Sequence, residues 1–521
     1  MEKNLNPAKL TTGHLWHEGG FYEGNLDRIF PSDCTPERFV EILKAADGCF
    51  TLVLETADHI FAAVDRVRSR PLFYALAGGR LLLDTSAHDL RSRLGDPPLD
   101  ESALAEFLLA GYNCCGDTLI AGIKQLEAGQ YLIWDKLSQS LQTGDHFLYR
   151  QQFNPHQDPL VAMDRMHLGV FERLIQSAQG RTLVVPLSGG LDSRLIAVML
   201  KRLEYPNVIC YTFGNSLQDE CVTSRKVARF LNLPWLIVET NRRIWYKAYH
   251  SEEMRRYFRF GTNLSSLPHV HDWLAVKTLL EREQIPSDAI IVPGHSGGFS
   301  QGADLPPIFA DRDELTQREL LDLILRDHYD LWLCANDQRH KLFGARVGDY
   351  LQLPDEIQIE IAASLFDTWD WRQRQSKLYV NALRIYDFFG LDWRLPLWDR
   401  DYVDFWTRVP LDLRLGRSLM KQYASKCQSV PIPAYNDYPL GKKLHLRYQR
   451  AVSGNLSDQR YGRFLDYRDR QGYLHTKVAS LLVPNLAYPD FVNPDLNLLD
   501  ANINAVQALS YIRDLVAGKL S

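Results

Sequence analysis

The chain has 521 residues, 45% of them hydrophobic and 24% charged, with a formal net charge of -5. That length has room for two or three compact domains. The acidic balance excludes a broad nucleic-acid surface, which carries a basic excess. The eight cysteines (Cys34, Cys49, Cys114, Cys115, Cys210, Cys221, Cys334 and Cys427) are scattered without a C-x-x-C pair, the pattern of reduced thiols. Met1–Pro7 is polar, unlike a secretory signal. No apolar run approaches the roughly 20 residues of a membrane span. A cytoplasmic protein without a membrane span or nucleic-acid partner is expected.

The first third reads as antiparallel. A helix is predicted over Pro36–Ala46. Strand-like runs follow at Cys49–Glu55, His59–Asp65, Pro71–Ala77 and Arg80–Thr85, with Gly78–Gly79 as the turn between the last two. A second helix is predicted over Glu101–Ala110 with Asp100 as its N-cap. A hairpin is predicted from Gly122–Leu126 and Gln130–Trp134 around Glu127-Ala128-Gly129. The polar stretch Arg150–Pro159 then marks a domain boundary, giving domains 1–150 and 151–521.

Beyond it the rhythm changes. Thr182–Leu187, Asn207–Phe213, Trp235–Glu239 and Ala289–Val292 are short apolar runs separated by helical patterns. Strands alternating with helices predict a doubly wound parallel sheet. From about Glu314 onward the pattern is mostly helical. The tryptophans there (Trp369, Trp371, Trp393, Trp398, Trp406) are expected to pack helices rather than stack bases.

The most specific string is Val184-Val185-Pro186-Leu187-Ser188-Gly189-Gly190-Leu191-Asp192-Ser193-Arg194, at the joint of a strand and a helix. Glycines there let the backbone approach a polyphosphate closely. The helix behind them offers unpaired N–H groups and the positive end of its dipole. Ser188 and Ser193 add hydroxyl donors, and Asp192 can ligate magnesium. A Walker loop is excluded, because no G-K-[ST] follows.

This string resembles the PP-loop of the ATP pyrophosphatase group, whose members split ATP between its α and β phosphates. Three further segments resemble the asparagine synthetase branch of that group. Asn207–Glu239 is similar to its second strand and helix. Gly390–Asp399 (GLDWRLPLWD) is similar to its G-[VL]-E-x-R-V-P-F-L-D string, with Asp392 in place of Glu. Leu419–Tyr423 falls at its K-x-x-L-R segment. Asp65–Tyr74 and Thr118–Leu132 resemble its glutaminase strands.

The resemblance implies an α+β Ntn-like N-terminal domain. It further implies an α/β PP-loop synthetase domain, adenine nucleotide alpha hydrolase-like, with a helical C-terminal part. ATP and Mg²⁺ are the implied cofactors, with Leu187, Ser188, Gly189, Gly190, Asp192, Ser193, Phe213, Gly214 and Gly294 on the nucleotide and Asp192 on the metal. His295, Lys421, Arg394 and Arg384 are the implied catalytic residues. The two arginines read equally well as ion-pair partners of Asp387 or Asp399.

Two departures narrow the expectation. Active glutaminase domains expose an N-terminal cysteine, whereas residue 2 is Glu2 and the nearest cysteine is Cys34. Loss of glutaminase activity is expected, with ammonia or an amine coming from solution or a separate protein. In Pro293–Phe299 (PGHSGGF), His295 stands where the family has Glu and Gly298 where it has a magnesium-binding Asp. The expected reaction is adenylylation of a carboxylate followed by amide formation. A sugar uronic acid of polysaccharide biosynthesis is the favoured substrate, and a lasso-peptide or β-lactam type cyclase is the next reading. A nucleotide-binding pseudo-enzyme or partner protein is the alternative of another class, and a homodimer stays open.

Overall fold

The computed structural model describes residues 10–426 and 503–518, apart from 153 and 332–339. The N-terminal part opens with β1 (Thr12–His17) and β2 (Gly20–Glu23), neither of which the sequence pattern announced. Helix α1 (Pro36–Ala45) follows; the Thr35 hydroxyl caps it and Pro36 occupies its first turn. Then come β3 (Asp47–Glu55), β4 (His59–Val64), β5 (Phe73–Ala77) and β6 (Arg80–Asp84). Helix α2 (Glu101–Ala110) starts on the Asp100 cap and stops at left-handed Gly111. β7 (Lys124–Gln125), β8 (Gln130–Asp135) and β9 (Ser140–Asp145) complete this part.

These strands form a six-stranded antiparallel sheet, β2-β1-β3-β4-β8-β9, and a three-stranded one, β6-β5-β7. The predicted 122–126/130–134 hairpin does not form. β7 pairs with β5, and β8 pairs with β4 and β9. Alternation along the strands explains the layering. Phe50, Leu52, Phe61, Ala63 and Ile133 face α1 with its Phe39 and Ile42. Val53, Ile60, Ala62, Val64, Leu132 and Trp134 face the small sheet through Leu81 and Leu83.

A long helix, α3 (Pro159–Ala178), capped by Asp158, leads into the second part. Its strands are β10 (Leu183–Pro186), β11 (Val208–Gly214), β12 (Trp235–Glu239), β13 (Ile290–Ile291) and, past the two-stranded β14 (Glu314–Thr316) and β15 (Glu356–Gln358), β16 (Asp392–Trp393). The sheet order is β12-β11-β10-β13-β16 and every pair is parallel. β10 and β11 are joined by α4 (Leu191–Arg202), and β11 and β12 by α5 (Asp219–Leu231). Helix α3 and α4 cover one face of the sheet; α6 (Trp273–Glu281) covers the other. Strand order reverses at β10, since β11 and β12 lie to one side and β13 and β16 to the other. The loops leaving β10 and β13 therefore face each other at the carboxyl edge, where open α/β sheets bind ligands.

The two parts share one core: Cys49, Val67, Ala128 and Tyr149 pack with Trp371, Trp393 and Trp398. All five of the singled-out tryptophans are buried. A row of ion pairs crosses the same seam: Arg394–Glu23 at 2.8 Å, Arg70–Asp387 at 3.0 Å and Lys377–Glu127 at 3.0 Å.

Candidate active site

Between β10 and α4 the glycine-rich segment folds back on its own hydroxyls. Ser188 N donates to Ser193 Oγ at 3.0 Å, and Gly190 N donates to Ser188 Oγ at 3.0 Å. The Arg194 side chain donates to the Gly189 carbonyl. Gly190 is the N-cap of α4 and provides no side-chain bond, so the first N–H groups of the helix are left for a ligand. A cavity of about 490 Å³ opens against this helix end, within the size range of small-molecule sites.

Leu187, Ser188, Gly190, Asp192, Ser193, Phe213, Gly294 and His295 all line the cavity. Residues 107 positions apart in sequence (187 and 294) thus share one wall. Gly294 brings the β13 loop directly onto α4: a Cβ there would lie 2.9 Å from Ser193 N and 3.2 Å from the Asp192 carbonyl carbon. Gly189 sits to one side, facing Glu220 and Thr223, and Gly214 ends β11 at φ +126°.

The far wall holds residues that sequence reasoning missed: His269, His271 and Asp272. The signal was present as a His-x-His-Asp run just before α6. The His269 and His271 rings meet edge-on at 4.1 Å, and His295 lies 6.5 Å from His269. Asp272 is held by the Tyr211 and Tyr386 hydroxyls at 3.2 and 2.7 Å. Burial pushes all three imidazoles below the ordinary histidine value, although Asp272 opposes this at His271 and His295. His295 is therefore neutral at pH 7. Its Nδ1 is buried and has no hydrogen-bond partner.

Asp192 is the second departure from a simple loop. Its Oδ1 accepts from Gln301 Nε2 at 2.9 Å and from Arg417 Nη2 at 2.5 Å. Burial raises its carboxyl; Arg417 and Gln301 work against that. Arg417 was not singled out in the sequence. It reaches Asp192 from the kink before α7 (Ser418–Lys426).

The remaining implied residues lie elsewhere. Lys421 is exposed on α7 and does not line the cavity. Buried Arg384 donates to Asp387 Oδ2 at 2.7 Å and lies 4.0 Å over the Phe260 ring. Arg394 donates to Glu23 and to the Trp393 carbonyl. It lines a separate cavity of about 50 Å³ between the two parts, with His14, Cys49 and Asp399. Asp399 itself is paired with Arg173 at 2.6 Å. Glu2, Cys334 and Cys427 lie outside the described residues.

Residues 36–144 match the family model of a glutamine amidotransferase domain, and residues 175–252 match that of asparagine synthase. The two domain matches support an asparagine synthetase-like family. They fall in the antiparallel part and across the glycine-rich loop. Among curated proteins none matches the chain. Among solved structures, a glutamine phosphoribosylpyrophosphate amidotransferase from B. subtilis, complexed with ADP and GMP, is similar at 11% identity. That alignment covers 50% of this chain and 51% of the other, with a TM-score of 0.15. No helix among the described residues is long and apolar enough to cross a membrane.

Proposed function

We propose that the chain is an ATP-dependent, AMP- and pyrophosphate-forming amide ligase acting at the cavity between the β10 and β13 loops. The observation that carries this is the convergence of Ser188–Ser193, Phe213 and His295 on one cavity at the open end of α4. The loop N–H groups and the helix end bind the phosphates. A substrate carboxylate oxygen attacks the α phosphorus. The bond to the β-phosphate oxygen breaks, and pyrophosphate leaves. An amine then attacks the acyl carbon, its proton passes to the neutral His295, and AMP leaves with the electron pair of the acyl–oxygen bond. The family likeness favours ammonia or an amine as donor and a sugar uronic acid as the carboxylate.

The N-terminal domain acts in this reading as a structural partner without glutaminase activity. The thiolate is the nucleophile in such chemistry. Burial raises the thiols of Cys34, Cys49, Cys114, Cys115, Cys210 and Cys221, the six described cysteines. Ammonia then comes from solution or from another protein.

Asp192 is the expected magnesium ligand, and its surroundings do not fit a resident metal. Its Oδ1 already meets a guanidinium and an amide N–H. Gly298 offers no second carboxylate. Among the described residues no group of three or more His, Cys, Asp or Glu is arranged to hold a metal. Magnesium enters here only as the counter-ion that ATP brings with it.

The test is ATP–pyrophosphate exchange over a panel of aspartate, uronic acids and their nucleotide-sugar forms. Exchange with one acid, lost in Asp192→Ala, supports adenylylation and names the acid. Absence of exchange with every acid while ATP binds would turn the reading to a pseudo-enzyme. A finer probe is Gly294→Ala. Its methyl has to push the β13 loop off the α4 N–H groups, so ATP affinity should drop by about tenfold or more with the fold intact by circular dichroism. Unchanged ATP affinity would place the nucleotide elsewhere.

A further inference from the structure

We propose that Arg417 is the phosphate-binding cation of this site and takes the β,γ-diphosphate of ATP, in the role that a carboxylate-held metal would otherwise play. The inference deepens the ATP-dependent reading above and rests on it.

The backbone supplies the first observation. Arg417 has φ +60° and follows Gly416 at φ +59°, at a kink where two helices meet. A non-glycine residue in the left-handed region is strained and persists where its surroundings hold it. The guanidinium is anchored at this kink: Nε donates to Gln301 Oε1 at 2.8 Å and Nη2 to Asp192 Oδ1 at 2.5 Å. Ser296, in the facing loop, is left-handed too, at φ +60°, and its Oγ is buried without a partner. Next to it, a Cβ on Gly297 would lie 3.0 Å from Asp192 Oδ1, so both left-handed turns lie by one carboxylate at the end of α4.

Space gives the second observation. A Cβ on Gly298 would lie 3.8 Å from Arg417 Nη1 and 3.8 Å from Asp192 Oδ2. A carboxylate at 298 would come within reach of both groups, with its Cβ pressed 3.2 Å from Ala303 Cβ. The chain therefore lacks a negative group at 298 and has a fixed positive one beside it. A carboxylate pair attracts a divalent cation, which in turn attracts phosphate. A carboxylate with an arginine presents the positive charge directly. The bonds to Gln301 and Asp192 use Nε and Nη2, and Nη1 keeps its two N–H donors for phosphate oxygens. Arg417 is not itself a lining residue, but the carboxylate it holds lines the cavity at the glycine-rich loop, which puts the cation next to that loop.

Titration calorimetry with inorganic pyrophosphate and with AMP, each in EDTA and in excess Mg²⁺, tests this. The wild type should bind pyrophosphate in EDTA. Arg417→Gln should weaken pyrophosphate at least about tenfold and change AMP, which lacks the β,γ phosphates, less than about twofold. Arg417→Lys, which keeps the charge but not the fork, should fall between. Gly298→Asp is the variant that leaves Arg417 in place. It should weaken pyrophosphate in EDTA and regain it in Mg²⁺, because a second carboxylate both neutralises the guanidinium and creates a metal site. Pyrophosphate binding that is unchanged or tighter in Arg417→Gln would overturn the proposal and make the residue a plug. Equal weakening of AMP would do the same by making it structural. Failure of wild-type protein to bind AMP at all would sink the nucleotide reading itself, whatever Arg417 does.

Discussion

His295→Asn should stop amide formation while ATP–pyrophosphate exchange continues. The first half-reaction needs the carboxylate, the phosphates and the loop; nothing in it calls for a proton acceptor at 295. The second half-reaction does, since an amine attacking the acyl carbon must shed a proton. A positioned base contributes typically about 10²- to 10⁴-fold, so a loss of that size is expected in amide product alone. Hydroxylamine, an amine already neutral at pH 7, should still trap the acyl-adenylate in the variant. The pH dependence follows from burial, which lowers the His295 imidazole from its ordinary 6.5, with Asp272 opposing and His271 assisting. A base must be unprotonated to act. The acid limb of the wild-type rate therefore lies below pH 6.5, and rate is lost as pH falls through it. An acid limb at or above 6.5, or exchange and amide formation falling together in His295→Asn, would reduce His295 to a loop-holding residue.

What could be read in the sequence was whatever is written locally. The strand, the two glycines and the helix of 183–202 are contiguous, so their pattern and their structure coincide. The same holds for the Asp100 cap. Pairing partners are not local. The 122–126 and 130–134 runs look like a hairpin because they are close in sequence, yet the two faces of the N-terminal sandwich draw them into different sheets. β16 is only two residues long, too short for a periodic signal. The site divides in the same way. Ser188–Ser193 announced itself, and His295 was found by the resemblance of its loop. His269, His271 and Asp272 precede a helix and reach the cavity only because that helix covers the sheet. Arg417 reaches Asp192 across 225 residues; Gly416 could announce the left-handed kink, but not the partner it turns Arg417 toward. Arg384 and Arg394 show the converse: charge alone did not say that Arg384 would pair with Asp387 or that Arg394 would tie the end of β16 to Glu23.

That seam carries the other large effect. Lys377→Met should destabilise the chain by ~3 kcal/mol, the lower end of the range for breaking a buried ion pair. Lys377 and Glu127 are 0% and 4% exposed, and they meet at 3.0 Å. Gln373 Nε2 and the Tyr350 hydroxyl also donate to the carboxylate, and Arg372 Nε lies 3.9 Å away. Burial pushes the Glu127 carboxyl up, but Lys377 and then Arg372 outweigh it and hold the group at about 2. A carboxyl with a depressed folded value gives stability that is present above its ordinary 4.5 and lost as pH falls toward 2. Without Lys377 the balance tips back toward burial. Arg372 remains, which keeps the loss at the low end of the range. The folded value of Glu127 then rises, so the variant's deficit should be largest near pH 7 and shrink as the medium is acidified and the carboxyl takes up a proton. Urea melts of the first unfolding transition at pH 7 and pH 5 would show this. Lys377→Met combined with Glu127→Leu should recover at least half the loss, because an apolar pair of similar volume leaves no charge buried. A single variant as stable as the wild type at pH 7 would mean that water reaches this pair in solution, and that the other contacts across the seam suffice to join the two parts.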